Sequence, residues 1–218
     1  MADSTTAFVG SVPENYDRFM GPMFFEPYAV DLAERLPIEG AETVLEIACG
    51  TGIVTRAVRD IMPSACRIVA TDLNQGMIDI AQSKFQDDSS VEFRQADAGD
   101  LPFGDASFDA VVCQFGLMFF PDKPAAMREV LRVLKPRGTF LFNVWDPMEE
   151  NEISLAVHDA MQVLYPDDPP QFYRVPFGFN DAAVIRSLLE DAGFTRVEVE
   201  TVPKDAVSPD ARSAAAGL

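Results

Sequence analysis

The sequence predicts an α/β protein: a doubly wound, mostly parallel sheet covered by helices on both faces. Three observations carry this. Segments of strand character alternate with segments of helical period along most of the chain. Several strands are nearly continuous runs of valine, isoleucine and phenylalanine, as strands buried on both faces are. The strand from Thr43 to Ile47 runs straight into the small-residue turn Ala48-Cys49-Gly50-Thr51-Gly52, and a helical pattern follows. A strand that breaks at glycines and opens a helix is where such a sheet binds a cofactor.

Taken in order, residues 1–40 form an N-terminal extension with aromatics at Phe8, Tyr16, Phe19, Phe24, Phe25 and Tyr28. Strands are expected at Thr43–Ala48, Arg67–Asp72, Val91–Ala96, Phe108–Gln114, Thr139–Trp145 and Arg196–Val202. Helices fit Phe25–Leu36, Ile53–Met62, Gln75–Phe85, Lys123–Leu134, Glu152–Leu164 and Ala182–Ala192. The fourth of these stops at Lys135-Pro136-Arg137-Gly138. Asp181 is placed to cap the last one, and Gly193 to end it. Residues 146–180 form an insertion after the fifth strand, with Pro147, Pro166, Pro169, Pro170 and Pro176. The extension and the insertion can both reach the carboxyl edge of the sheet, where ligands bind. They read as lids on the site, or as simple covers of core. Residues 41–218 make up the main body, and the whole chain is expected to be a single domain.

Composition narrows the function. The net charge is -18, which disfavours nucleic acid and anionic membrane surfaces as partners. The acidic, lysine-poor surface is either plainly solvated or suited to high salt. No apolar run reaches the length of a membrane span, and the first residues lack a signal-peptide pattern, so a cytoplasmic location is expected. Cys49, Cys66 and Cys113 form no CxxC pair and read as small buried hydrophobes, with Cys49 alone placed to be reactive. One histidine and scattered carboxylates give no metal site.

The stretch Glu46-Ile47-Ala48-Cys49-Gly50-Thr51-Gly52 resembles motif I of the class I S-adenosylmethionine-dependent methyltransferases, with Ala48 in place of the first glycine. The resemblance covers about residues 40–145 and is ordered. It implies a Rossmann-like sheet of six to seven strands in the order 3-2-1-4-5-7-6. It also implies S-adenosyl-L-methionine as cofactor, S-adenosyl-L-homocysteine as product, and a small-molecule methyl acceptor. Glu46 would help hold the methionine amino group, or orient the turn. Ala48, Cys49, Gly50, Thr51 and Gly52 would bring backbone N–H groups close to the cofactor. Asp72, 22 residues after Gly50, would accept both ribose hydroxyls, or cap the next helix. Leu73 would pack on the adenine, with Met77 one helical turn further in.

Gln95-Ala96-Asp97-Ala98 and the following Asp100-Leu101-Pro102-Phe103 resemble the third cofactor segment of the family. Asp97 would bond the adenine amino group, beside Ala96, and Ala98 would offer its backbone N–H. Gln114 and Phe115 would emerge beside the sulfonium. Tyr16 and Phe19 would close over the cofactor, or pack in the core. His158 would be a general base, or an exposed bystander. The seventh strand is not found in the tail: either the sequence is cut before it or it is absent, and strand 6 would then leave a sheet edge that invites pairing with another chain, as in a homodimer. A half-match to a dinucleotide fingerprint keeps a nicotinamide-dependent oxidoreductase open as an alternative. A non-catalytic cofactor-binding protein is the other.

Overall fold

The computed structural model describes residues 16–170 and 174–217. Phe8, among the aromatics of the extension, lies outside them.

A wide helical segment, Tyr16–Phe25, leads into α1 (Glu26–Glu34). The core elements follow: β1 (Thr43–Ile47), α2 (Ile53–Ile61), β2 (Arg67–Asp72), α3 (Gln75–Ser83), β3 (Val91–Gln95), β4 (Phe108–Gln114), α4 (Lys123–Val133) and β5 (Leu134–Asn143). The insertion supplies α5 (Glu152–Leu164), and the chain ends in α6 (Ala182–Ala192) and α7 (Ala211–Gly217). The sheet order is β3-β2-β1-β4-β5, and every pairing is parallel. The order reverses beside β1, so the crevice beyond the ends of β1 and β4 is the topological switch point.

Alternating side chains of the sheet feed two cores. Leu45, Ile47, Val111 and Cys113 pack on one face against Met127 and Val130 of α4 and Leu189 of α6. Val44, Ile68, Ala110 and Val112 pack on the other against Leu32 of α1 and Val54 and Val58 of α2. The helix starts follow the sequence: Asn74, Asp122 and Asp181 each accept a backbone N–H as N-caps. Gly193 closes α6 at φ 110°, a left-handed conformation that glycine adopts freely.

Among the described residues the sheet has five strands, not six to seven. Residues 196–202 pair with no strand, although their Val-Glu-Val-Glu-Thr-Val alternation reads as one. Side chains hold that segment instead. Arg186 donates to the Val197 carbonyl at 2.5 Å, and Arg35 bridges Glu200 at 2.6 Å. Pro203 and Pro209 follow this segment, and α7 comes after them. The fifth strand starts earlier than Thr139, at Leu134, with an irregularity in its register opposite Phe108 and Ala110. The Lys-Pro-Arg-Gly stop thus lies within β5, where Arg137 takes φ 70°.

Candidate active site

The turn after β1 is built from left-handed residues: Ala48 at φ 55°, Gly50 at φ 54° and Gly52 at φ 83°. Ala48 accepts a conformation that favours glycine, at some strain. Gly52 is fixed further by crowding, since a Cβ there would lie 3.1 Å from the Ala81 Cβ. Over Gly50 there is open space, with nothing within 4 Å of a Cβ. Three N–H groups of the turn are spent inside the protein. Cys49 donates to Thr71, Gly52 to Cys49, and Gly50 to the Asp72 carboxylate at 2.8 Å.

Glu46 precedes this turn and is 2 % exposed. Burial pushes its carboxyl up to about 8, against the lowering effect of the 2.6 Å hydrogen bond from Thr55 Oγ1. Asp72 ends β2 and takes backbone N–H groups on both oxygens, from Gly50 and Asn74 at 2.8 Å each. Burial raises its carboxyl too. Helix capping falls to Asn74, so Asp72 is free of that role.

Leu73 follows and is 66 % exposed, so its side chain offers apolar surface beside Asp72. Its carbonyl is held by Gln95 Nε2 at 2.8 Å, a contact the sequence reading did not foresee. Ala96 donates its N–H to the Asp72 carbonyl at 3.0 Å, which brings the third segment beside the second. Asp97 folds its own loop by accepting from Gly99 at 2.8 Å, with Ala98 packed against the core behind. Met77, by contrast, is buried at 3 % exposure and belongs to the packing of α3.

A cavity with about 20 Å³ of room for water lies against the turn, lined by Glu46, Ala48, Gly50, Thr51 and Gln114 and roofed by Tyr16 and Phe25. Tyr16 stacks on Phe25 with centroids 4.7 Å apart. Burial and the nearby Asp72 and Asp17 charges push the Tyr16 phenol upward, so it stays protonated. Asp17 anchors this roof: Thr51 Oγ1 donates to it at 2.6 Å, Lys84 pairs with it, and Lys84 also donates to the Thr51 carbonyl at 2.9 Å. Phe19 faces elsewhere, into a groove shared with Val207 and Pro209 of the tail, so Phe25 is the second aromatic at the site.

The remaining residues separate. Gln114 Nε2 donates to the Phe25 carbonyl at 3.0 Å, and Phe115 stacks on Trp145 at 3.8 Å and 3°. Gly116 lets the β4 exit touch the β1 turn; neither it nor Trp145 carried a sequence signal tied to the site. Cys49 lines the cavity, but burial raises its thiol well above the ordinary value, so it is not a reactive thiolate. His158 is buried at 6 % exposure in α5, not exposed, with its Nε2 2.7 Å from Gln162. It does not line the cavity.

Residues 45–142 match the model of a methyltransferase domain family. A ubiquinone/menaquinone biosynthesis C-methyltransferase of Pseudomonas fluorescens is 31% identical over 183 residues, covering 78% of this chain and 70% of that one. The chain belongs to the class I S-adenosylmethionine-dependent methyltransferases. A demethylmenaquinone methyltransferase of Staphylococcus carnosus is similar over a longer span: 26% identity over 209 residues, 88% of this chain and 85% of its own. The fold of this methyltransferase is shared with a candidate S-adenosyl-L-methionine-dependent methyltransferase of Methanococcus maripaludis. That structure has a TM-score of 0.69 and 21% identity, and the match covers 94% of this chain and 93% of that one. The methyltransferase therefore uses S-adenosyl-L-methionine, and the oxidoreductase and non-catalytic alternatives fall away. The residues present fit that cofactor. The space over Gly50 is open, Leu73 offers a bare apolar face beside Asp72, and the buried Gln114 Oε1 has no partner in the protein.

Proposed function

We propose that this methyltransferase transfers the methyl group to a small molecule, met where Gln114, Phe115 and Trp145 leave the sheet. The observation that carries this reading is the net charge of -18, which repels polyanionic substrates. The names of the Staphylococcus and Pseudomonas relatives refer to quinone methylation, which supports a small apolar acceptor. A cytoplasmic location goes with it; among the described residues no helix is long and apolar enough to cross a membrane.

Bound S-adenosyl-L-methionine supplies an electrophilic methyl group on a sulfonium sulfur. In the proposed arrangement Asp72 accepts the ribose hydroxyls on lone pairs left over by Gly50 and Asn74. Leu73 and Ala98 bracket the adenine, and Asp97 accepts from its amino group. Glu46 and the turn Ala48–Gly52 hold the amino-acid end. Tyr16 and Phe25 exclude water, which strengthens each of these contacts. Alignment and desolvation then carry the in-line displacement for an acceptor that is already nucleophilic. His158 does not line the cavity and is given no step in this arrangement.

Calorimetric titration tests the reading. S-adenosyl-L-homocysteine is expected to bind in the micromolar range and NAD to give no heat. Asp72→Ala removes two charge-assisted hydrogen bonds and is expected to weaken S-adenosyl-L-homocysteine by about 30-fold, about 2 kcal/mol. Binding of NAD alone, or full affinity in the variant, would sink this assignment.

Tyr16 and Phe25 narrow the way to the turn, and the pairing of Asp17 with Lys84 holds that roof in place. Lys84→Met is therefore expected to speed S-adenosyl-L-homocysteine association by about threefold in stopped-flow mixing, the scale of one partly exposed ion pair. An unchanged association rate would mean that the pairing does not limit entry.

A further inference from the structure

We propose that Glu129 and Arg132 of α4 are positioning residues for the cofactor base: they grip Leu101 and so hold the loop Asp97–Asp100 in the shape that tells adenine from a base lacking its amino group. This rests on the reading above in which Asp97 accepts from the adenine amino group. Neither Glu129 nor Arg132 lines the cavity, so both act through the loop.

The loop is short and tight. Asp100 donates its N–H to the Asp97 carbonyl at 3.0 Å, and Gly99 donates to Asp97 Oδ1 at 2.8 Å. Asp97 and Asp100 are exposed, so burial does little to fix them. The two ends are held instead. At the entry, Ala96 donates to the Asp72 carbonyl at 3.0 Å and Gln95 Nε2 to the Leu73 carbonyl at 2.8 Å. At the exit, α4 takes both backbone groups of Leu101. Its N–H donates to Glu129 Oε2 at 2.8 Å, and its carbonyl accepts from Arg132 Nη2 at 3.0 Å.

The gripping pair is itself directional. Arg132 donates through Nε and Nη2, at 2.7 Å each, one to each Glu129 oxygen. Such a two-pronged pair fixes orientation as well as distance. Arg132 Nη1 reaches on to the Phe103 carbonyl at 2.7 Å and to Asp105 at 2.9 Å. Arg132 holds the Glu129 carboxyl below the usual carboxylate range, against burial, and the Leu101 N–H adds to the effect. The helix packs through Ala126, Met127, Val130 and Val133 without this pair, so the loop is what the pair serves. A hydrogen bond weakens steeply when its geometry drifts, whereas apolar contact with a ring tolerates small shifts. A loosened loop therefore loses the amino group before it loses the base.

The experiment titrates S-adenosyl-L-homocysteine and S-inosyl-L-homocysteine, whose base carries oxygen in place of the amino group, into the protein by calorimetry. The wild type is expected to bind the first about 30-fold tighter, the scale of one hydrogen bond to a carboxylate. Glu129→Leu and, separately, Arg132→Met are expected to bring that ratio to about fivefold, with the affinity for S-inosyl-L-homocysteine within about twofold of wild type. Glu129→Gln keeps an acceptor for the Leu101 N–H and is expected to restore part of the ratio. Should Arg132→Met not fold, Arg132→Lys keeps the charge and loses the fork, and its ratio is expected at about tenfold. Asp97→Asn turns the reading acceptor into a donor and is expected to abolish the preference for adenine.

A lower Tm in the α4 variants with the ratio intact overturns the proposal and leaves the pair a structural role alone. Equal weakening of both ligands overturns it too. In either case a preference abolished by Asp97→Asn keeps the adenine assignment standing. A preference that survives Asp97→Asn, or equal binding of the two ligands by the wild type, removes the adenine assignment and this proposal together.

Discussion

Gly116→Ala is expected to lower the stability of the protein by about 3 kcal/mol and its Tm by roughly 9 °C. The added Cβ would lie 2.5 Å from the Ala48 Cβ and 3.0 Å from Cys113 Sγ. Neither neighbour can give way cheaply. Ala48 is held at φ 55° in the cofactor turn, and Cys113 is fully buried in β4. Relief must come from moving the β4 exit away from the β1 turn, and packed interiors resist such shifts. The same movement spoils the cofactor cradle, so S-adenosyl-L-homocysteine affinity should fall together with Tm. Gly104→Ala is the control. Its Cβ meets only Ser107 Oγ, at an ordinary 3.5 Å, and a change within about 0.5 kcal/mol is expected. Thermal unfolding of the two variants decides the matter; equal Tm values would mean that the two exits are not in contact.

That contact shows where sequence reading runs out. β1, its turn and α2 were legible because a buried run, small residues and a helical period follow one another over 43–61, and each has a local cause. Asp72 was legible for the same reason, as the polar end of an apolar strand. Gly116 was not, because a glycine two residues past a strand looks the same whether it turns the chain or admits a neighbour from 68 residues away. Phe19 and Phe25 are six apart in one aromatic-rich segment, and only the path of the wide helix Tyr16–Phe25 decides which one roofs the cavity. The strand expected at Arg196–Val202 failed through a tertiary cause. Its alternation is sound, but a strand requires a neighbour, and Arg186 and Arg35 claim this segment instead. Burial of His158 depends in the same way on how the insertion packs.

Glu46 is expected to make both stability and cofactor affinity depend on pH, with opposite signs. Burial pushes its carboxyl from 4.5 up to about 8 in the folded protein. Between those two values the unfolded chain has lost the proton and the native state keeps it. Stability from this group is then fully present below pH 4.5 and declines as pH rises to about 8, by about 1.4 kcal/mol per pH unit. Glu46→Gln stays neutral and still accepts from Thr55. The difference in unfolding free energy, variant minus wild type, should climb from pH 5 to pH 8 and level off above it. A difference that stays flat over that window would mean that Glu46 is ionised in the folded protein. Cofactor binding runs the other way. In the proposed arrangement the ammonium group of S-adenosyl-L-homocysteine arrives beside Glu46 and favours the carboxylate, so binding below pH 8 expels a proton. Affinity should rise with pH up to about 8 and then level off. Calorimetry at pH 6.5 in buffers of different ionisation enthalpy should record close to one proton released by the wild type and none by Glu46→Gln. Equal release by both proteins would place the proton elsewhere, with Asp72, whose carboxyl burial also raises, as the next group to replace.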